Sequence, residues 1–467
     1  MIDADPGAPP LTVPGPDDLE DIQGLVYSAW TDHRHAGFLF ARLGDDARAG
    51  RAWLDDVRKL VTPAVRHRRA GHGRLQLALS PTGLAALGVP ADVIDMMAPE
   101  ATAGMAARRR VLADTDPASW QLGGPADRLD ALVMVYARDA ATCSAELAGH
   151  RAALVAAGAT VHPDELAWPI GEREHFGFAD GLSQPHVPGF HARPRPGEDP
   201  ISVGEILLGY ANAYGQLPMT PFWDHFDLGK NGSYLVFRKL AQDVAGLWTW
   251  LARHARDLAG PAADPADLAW LTDWLAAKLV GRWRSGAPLA LTPDRDDPEL
   301  ATPARRNSFD YLAHDPDGLR CPISAHIRRA NPRDARGGTA DDSRTVVGRH
   351  RILRRGRSYG TPLPYPDALA GRDDGAARGL YFLCLQSSIA RGFEFIQQTW
   401  LANPGFLGLH NEPDPLLGGS AGKCHFTIPA DPVRLRLSCI PTVVTSLGGG
   451  YFFLPSLCAL RRIAAGP

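Results

Sequence analysis

Two stretches of this chain, each roughly 200 residues long, spell the same alternation of short apolar strands and helices, and that duplication narrows the folds open to it. In the first stretch, 37–43 reads as a buried strand and 47–61 as an amphipathic helix. A second helical run follows over 81–87, then a strand over 131–137 and an Ala- and Leu-rich helix over 140–157. In the second stretch the same grammar returns. Residues 232–238 form a strand, 241–254 a helix carrying Trp248 and Trp250, 379–385 a strand and 393–401 a helix. Units of this kind on antiparallel sheets make an α+β fold. At 467 residues the chain is also too long for one ordinary core. The boundary is placed near 215, where Gly209, Gly215 and Pro218 gather, giving an N-terminal unit over 1–215 and a C-terminal unit over 216–467.

Hydrophobic residues make up 45% and charged residues 22%, enough apolar material to enclose a large flat ligand. The formal net charge of −3 gives no electrostatic case for nucleic acid or an anionic membrane as a partner. The six cysteines, Cys143, Cys321, Cys384, Cys424, Cys439 and Cys458, include no Cys-x-x-Cys pair. That spacing argues against a disulfide framework, an iron–sulfur cluster or a zinc site, and for buried free thiols in a reducing compartment. Covalent attachment of a c-type haem is excluded as well, because no Cys-x-x-Cys-His occurs. The lead over 1–21, rich in Pro, Gly and Asp, reads as irregular and mobile and lacks the basic and apolar regions of an export signal. No run approaches the ~18 apolar residues of a membrane span. The expected location is the cytoplasm. Long loops are expected over 191–199 and 330–344.

Three segments carry chemistry. The first is Phe176-Gly177-Phe178-Ala179-Asp180-Gly181-Leu182-Ser183-Gln184-Pro185. Glycine tolerates backbone angles that other residues resist, so an acid between two glycines can be held on a tight, exposed turn. The second is Ile323-Ser324-Ala325-His326-Ile327-Arg328-Arg329-Ala330-Asn331-Pro332-Arg333-Asp334. A neutral imidazole is a good ligand for haem iron, and guanidinium forks suit the two propionate carboxylates. The third, Arg351-Ile352-Leu353-Arg354-Arg355-Gly356-Arg357, alternates basic and apolar residues as a short strand does. Singly, each segment is ordinary: a turn, one of 16 histidines, a solvated basic edge.

In this order the three resemble the dye-decolorizing peroxidase family, in which a Gly-x-x-Asp-Gly motif, a later histidine and an Ile-Leu-Arg segment follow one another. The runs Arg378-Gly379-Leu380-Tyr381-Phe382, 386–397 and Gly449-Gly450-Tyr451-Phe452-Phe453-Leu454-Pro455 extend the likeness, which is nearest to the longer-chain subgroups. The resemblance implies two ferredoxin-like domains, with non-covalent haem b held mainly by the C-terminal one. It implies His326 as the axial iron ligand, Asp180 as the distal acid and Arg354 as the distal arginine, preferred over Arg355 because it directly follows Ile352-Leu353. Arg333, seven positions after His326, is the implied propionate partner, with Arg328 as a second. The implied activity is peroxidation, with hydrogen peroxide and a bulky aromatic or phenolic reductant as partners. A carboxylate with an ordinary pKa of ~4 accepts a proton unaided at acid pH, so an acidic optimum is expected. Two readings compete with this: a haem-binding or haem-trafficking protein, and a specialised peroxygenase on the same fold.

One departure stands out. Family members often place a carboxylate behind the axial histidine, but Leu383-Cys384-Leu385-Gln386-Ser387-Ser388 contains no acid, and Glu394 is the nearest one that follows.

Overall fold

The computed structural model describes residues 13–65, 73–190, 194–418 and 425–467. Eight strands form its backbone. They are β1 (His35–Arg42), β2 (Arg74–Leu79), β3 (Ala131–Ala137), β4 (Thr160–Val161), β5 (Ser233–Gln242), β6 (Arg357–Tyr359), β7 (Gly379–Gln386) and β8 (Val444–Leu454). They run in the order β6–β7–β5–β8–β2–β3–β1–β4 within one ten-stranded sheet, which Glu165–Ala167 on β1 and Leu353–Arg354 on β7 complete. The first four strands follow the order 4-1-3-2, and so do the last four. Every pairing is antiparallel. Each half is therefore ferredoxin-like, and the halves join where Phe453 of β8 pairs with Leu79 of β2. The proposed boundary at 215 falls in the irregular stretch between Glu205 and Phe222.

The helices start where a carboxylate can satisfy free N–H groups. Asp46 caps α1 (Ala47–Arg58), Asp139 caps α2 (Ala140–Ala156) and Asp243 caps α3 (Val244–Ala259). On α1, Trp53, Leu54 and Val57 turn inward, and on α2, Cys143, Leu147 and Leu154 do so. The sheet curls back on itself, because residues far apart in strand order meet ring to ring. Phe40 of β1 lies 4.9 Å from Phe237 of β5 between centroids, Phe38 5.3 Å from Tyr381 of β7, and Phe40 6.1 Å from Phe452 of β8. Each such edge-on or tilted pair adds about 0.5–1.5 kcal/mol beyond area burial.

Several expectations change. A helix over Pro265–Val280 (α4) was not foreseen. Its start, Asp264 before Pro265, and its stop, Gly281 in the left-handed region at φ 95°, are both visible in hindsight. The long loop expected over 330–344 gives way to a helix at Ala340–Gly348. There Thr339 and Asp342 form a reciprocal capping box that outweighs the loop-like composition. The helix expected over 393–401 is wound as π-helix, over Ala390–Glu394 and Ile396–Leu401. Within the lead, Pro16–Asp21 is a helical turn docked by Asn231, whose Nδ2 donates to Asp18 and Asp21 at 3.1 and 3.0 Å. The lead before residue 13, Cys424 and part of the 191–199 loop lie outside the described residues. Cys143, Cys321 and Cys384 are buried free thiols, whereas Cys439 and Cys458 are exposed. Among the described residues no helix is long and apolar enough to cross a membrane.

Candidate active site

A cavity of about 330 Å³ gathers the three sequence segments: Asp180, His326, Arg333 and Arg354 all line it. Its remaining surface is largely apolar, with Phe178, Leu240, Ile327, Phe382, Phe393 and Leu417 among the lining side chains.

One wall belongs to His326, the first residue of the short helix His326–Ala330. Its Nδ1 lies 2.9 Å from Oδ2 of Asp414, a fully buried carboxylate. A carboxylate there requires the proton on Nδ1, which leaves Nε2 as a lone pair. That nitrogen has no partner among the described residues. The other Asp414 oxygen accepts the N–H groups of Leu416 and Leu417 at 2.9 and 2.8 Å. Burial pushes the Asp414 carboxyl up. The neighbouring His326 imidazole, the charge of Arg329 and the Leu417 N–H outweigh it and hold it below the usual carboxylate range. The carboxylate missing behind the histidine is thus supplied from a loop 88 residues on, not from the 383–388 strand. Glu394 serves elsewhere: it is buried, paired with Arg108 at 2.5 Å and hydrogen-bonded by the Tyr451 hydroxyl at 2.9 Å.

Elsewhere on the lining, the turn that bears Asp180 is joined to the strand that bears Arg354. Gly177 and Gly181 both take left-handed angles, φ 89° and 68°, and so bend the chain around Asp180. The turn is held from behind by Glu174, a half-buried carboxylate that accepts the N–H groups of Phe176 and Phe178, each at 3.0 Å, and of Gln242 Nε2 at 2.8 Å. Burial pushes the Glu174 pKa up. The Asp180 side chain remains exposed, with Oδ1 accepting the Gly181 N–H at 2.6 Å. On the facing strand, Arg354 Nη2 donates to Ser183 O at 2.6 Å, and Gln184 Oε1 accepts the Arg354 N–H at 3.1 Å. Strand alternation sends Arg354 into the cavity and Arg355 away from it, onto the carbonyls of Leu25 and Val26 at 2.7 and 2.8 Å.

A third region of the cavity is cationic. Arg333, at φ 54°, spends Nη1 on the carbonyls of Asn307 and Phe309, both at 3.0 Å. Arg282 and Arg351 line the same region. The Arg351 guanidinium makes no hydrogen bond or ion pair among the described residues. Burial, with the charges of Arg333 and Arg354 beside it, pushes its pKa down to about 10. A guanidinium left unpaired among the described residues beside two others suits an anionic ligand. Arg328, expected as a second propionate partner, does not line the cavity. It is buried against Asp315 at 3.0 Å, with further bonds to the carbonyls of Cys321, Asp315 and Pro316.

These observations fit a haem. A single imidazole lone pair faces an apolar cavity with guanidiniums gathered at one side, and among the described residues no three His, Cys, Asp or Glu side chains assemble as a separate metal site.

No protein-family model matches the chain. It is 32% identical to a dye-decolorizing peroxidase of Mycetinis scorodonius, over 95% of this chain and 87% of that protein. It is 33% identical to a multifunctional dye peroxidase of Amycolatopsis, over 95% and 96%. The chain belongs to the dye-decolorizing peroxidase family. It is accordingly a haem peroxidase, an oxidoreductase that uses peroxide as acceptor. The fold agrees: a solved dye-decolorizing peroxidase in complex with 2,6-dimethoxyphenol superposes with a TM-score of 0.80 at 27% identity, over 96% of this chain and 99% of that one.

Sequence reasoning missed Asp414 and Arg351 as site residues. Asp414 had no local signal, since nothing in Asn411-Glu412-Pro413-Asp414 points to a histidine 88 residues earlier. Arg351 opens the distal motif itself and was masked by its basic neighbours.

Proposed function

We propose that this peroxidase binds haem b non-covalently through His326, breaks hydrogen peroxide with Asp180 and Arg354, and oxidises phenolic and dye-like aromatics by one-electron steps. The observation that carries this reading is the one cavity lined by His326, Asp180 and Arg354, with His326 backed by Asp414 and Arg354 hydrogen-bonded to the turn that bears Asp180.

When bound, haem supplies the iron that coordinates peroxide and the electrons that its O–O bond takes up. His326 would hold the iron through Nε2. Asp414 keeps the proton on Nδ1 and makes the imidazole a stronger donor. Arg333 and Arg351 would hold the propionates as fork-shaped donors. Asp180 takes the proton from the near peroxide oxygen and delivers it to the far one, which leaves as water. Arg354 orients the peroxide and offsets the negative charge developing on the departing oxygen. Its bond to Ser183 keeps that charge in place before peroxide arrives. The apolar lining excludes bulk water and leaves little room for a bulky dye. Phenols and dyes enter the proposal from the relatives' names and from the dimethoxyphenol complex of the neighbouring structure.

The test is steady-state oxidation of 2,6-dimethoxyphenol by the haem-loaded protein. Turnover that requires both peroxide and haem supports the reading. Haem binding without turnover would leave only a haem carrier.

A further inference from the structure

Arg329 stands three residues after His326 on the same short helix, one turn further on, and is fully buried. It faces no carboxylate directly. Instead Nη1 donates to Glu412 O at 2.7 Å, while Nη2 donates to Asn403 O at 2.6 Å, to Leu401 O at 3.2 Å and to Trp400 O. The guanidinium carbon lies 4.8 Å from the centroid of the Phe406 ring. All these partners belong to the turn that runs from the π-helical segment into Pro413-Asp414. Asp414 is tied to the same place, because its N–H donates to Leu401 O at 2.7 Å, a carbonyl that Arg329 also binds. The histidine and its carboxylate are thus linked twice, directly and through this guanidinium.

A buried cation on neutral carbonyls is a poor choice for stability alone, since an apolar side chain of similar volume avoids the desolvation cost. Burial in fact pulls the Arg329 pKa down to about 10. What a guanidinium offers is geometry, a planar fork that grips several carbonyls at fixed angles, which a lysine ammonium cannot do. The adjacent Arg328 makes the contrast plain. It fastens the same helix to the segment that precedes it, through Asp315 and Cys321 O.

We propose that Arg329 is a positioning residue that sets the His326–Asp414 hydrogen bond by clamping the 400–412 turn to the histidine helix, and so tunes the electron donation of the axial imidazole. This rests on the reading of His326 as the iron ligand. A tightly held anionic partner stabilises oxidised iron, so loosening it raises the ferric/ferrous midpoint potential. The charge of Arg329 acts in the opposite sense, because losing a nearby cation by itself would lower the potential. The two roles therefore differ in sign.

The experiment uses the haem-loaded full chain as wild type, Arg329→Lys, Arg329→Gln, Asp414→Asn and the double variant Arg329→Lys/Asp414→Asn. It reads the midpoint potential and the iron–histidine stretching frequency of the ferrous protein. Arg329→Lys, which keeps the charge, is expected to raise the potential and lower the stretch in the same direction as Asp414→Asn, Arg329→Gln to raise the potential less because it also removes the cation, and the double variant to move no further than Asp414→Asn alone. An unchanged or lowered potential, or shifts that add in the double variant, overturns the proposal. Phe406→Leu, which withdraws the ring beneath the guanidinium, is read in the same way if the Arg329 variants do not hold haem. An iron–histidine stretch that is absent in the wild type, or that survives His326→Ala, contradicts the ligand assignment instead.

Discussion

Arg354 donates from Nη2 to Ser183 O at 2.6 Å, so the strand bearing this arginine is hydrogen-bonded to the turn bearing Asp180. Gln184 closes the same link from the other side through the Arg354 N–H. Replacing Gln184 by Ala leaves that N–H without its partner and costs about 1 kcal/mol. The expected result is a slightly lower melting temperature, unchanged haem content and a several-fold slower reaction with peroxide. Unchanged peroxide kinetics would show that the link does not position Arg354.

The arginines near His326 divide by task. Arg333→Leu and Arg351→Leu are expected to weaken haem binding while leaving the stability of the haem-free protein nearly unaltered for Arg351, whose guanidinium makes no hydrogen bond or ion pair among the described residues. Arg328→Leu strands the buried Asp315 carboxylate and should destabilise the fold by about 3–5 kcal/mol, as loss of one partner of a buried pair does. Haem titration together with thermal melts of the haem-free chain separates the two effects. Loss of haem affinity from Arg328→Leu at unchanged stability would contradict this division.

Stability should fall on the acid side of neutrality. Burial holds the imidazoles of His175 and His350 below the ordinary value of 6.5. Between those lowered folded values and 6.5, the unfolded chain binds more protons than the folded one. Stability therefore rises with pH through that window and is lost as pH drops below 6.5. His350 stacks on Phe395 with centroids 3.6 Å apart and bonds Arg391 O at 2.6 Å through Nδ1. His350→Gln should melt lower at pH 7.5 but show a flatter decline toward pH 5. A wild-type melting temperature that is constant or increasing from pH 7.5 to pH 5 would contradict the account.

Strands such as Ala131–Ala137 were legible because an unbroken apolar run between turn signals has few other uses. Asp180 and His326 were singled out because each lies in a compact segment whose order along the chain is distinctive, and both line one cavity. What stayed hidden depends on distance in sequence. Asp414 meets His326 only after the π-helical segment and its following turn have folded, and no periodicity encodes that meeting. Arg328 and Arg329 are adjacent in sequence, yet one pairs with a carboxylate and the other with carbonyls of a different segment. Composition cannot separate such neighbours. The helix at Ala340–Gly348 was concealed by glycines before it, although Thr339 and Asp342 already spelled its cap.

The central claim is that Asp180 and Arg354 act on peroxide across from His326, and the Soret band after one equivalent of peroxide, followed by stopped flow, tests it most directly. The wild type should change its spectrum promptly. Arg354→Leu and Asp180→Asn should show the same resting Soret band and haem content but react ~10²–10³-fold more slowly. His326→Ala should lose most of its haem. Either distal variant reacting at the wild-type rate would contradict the account.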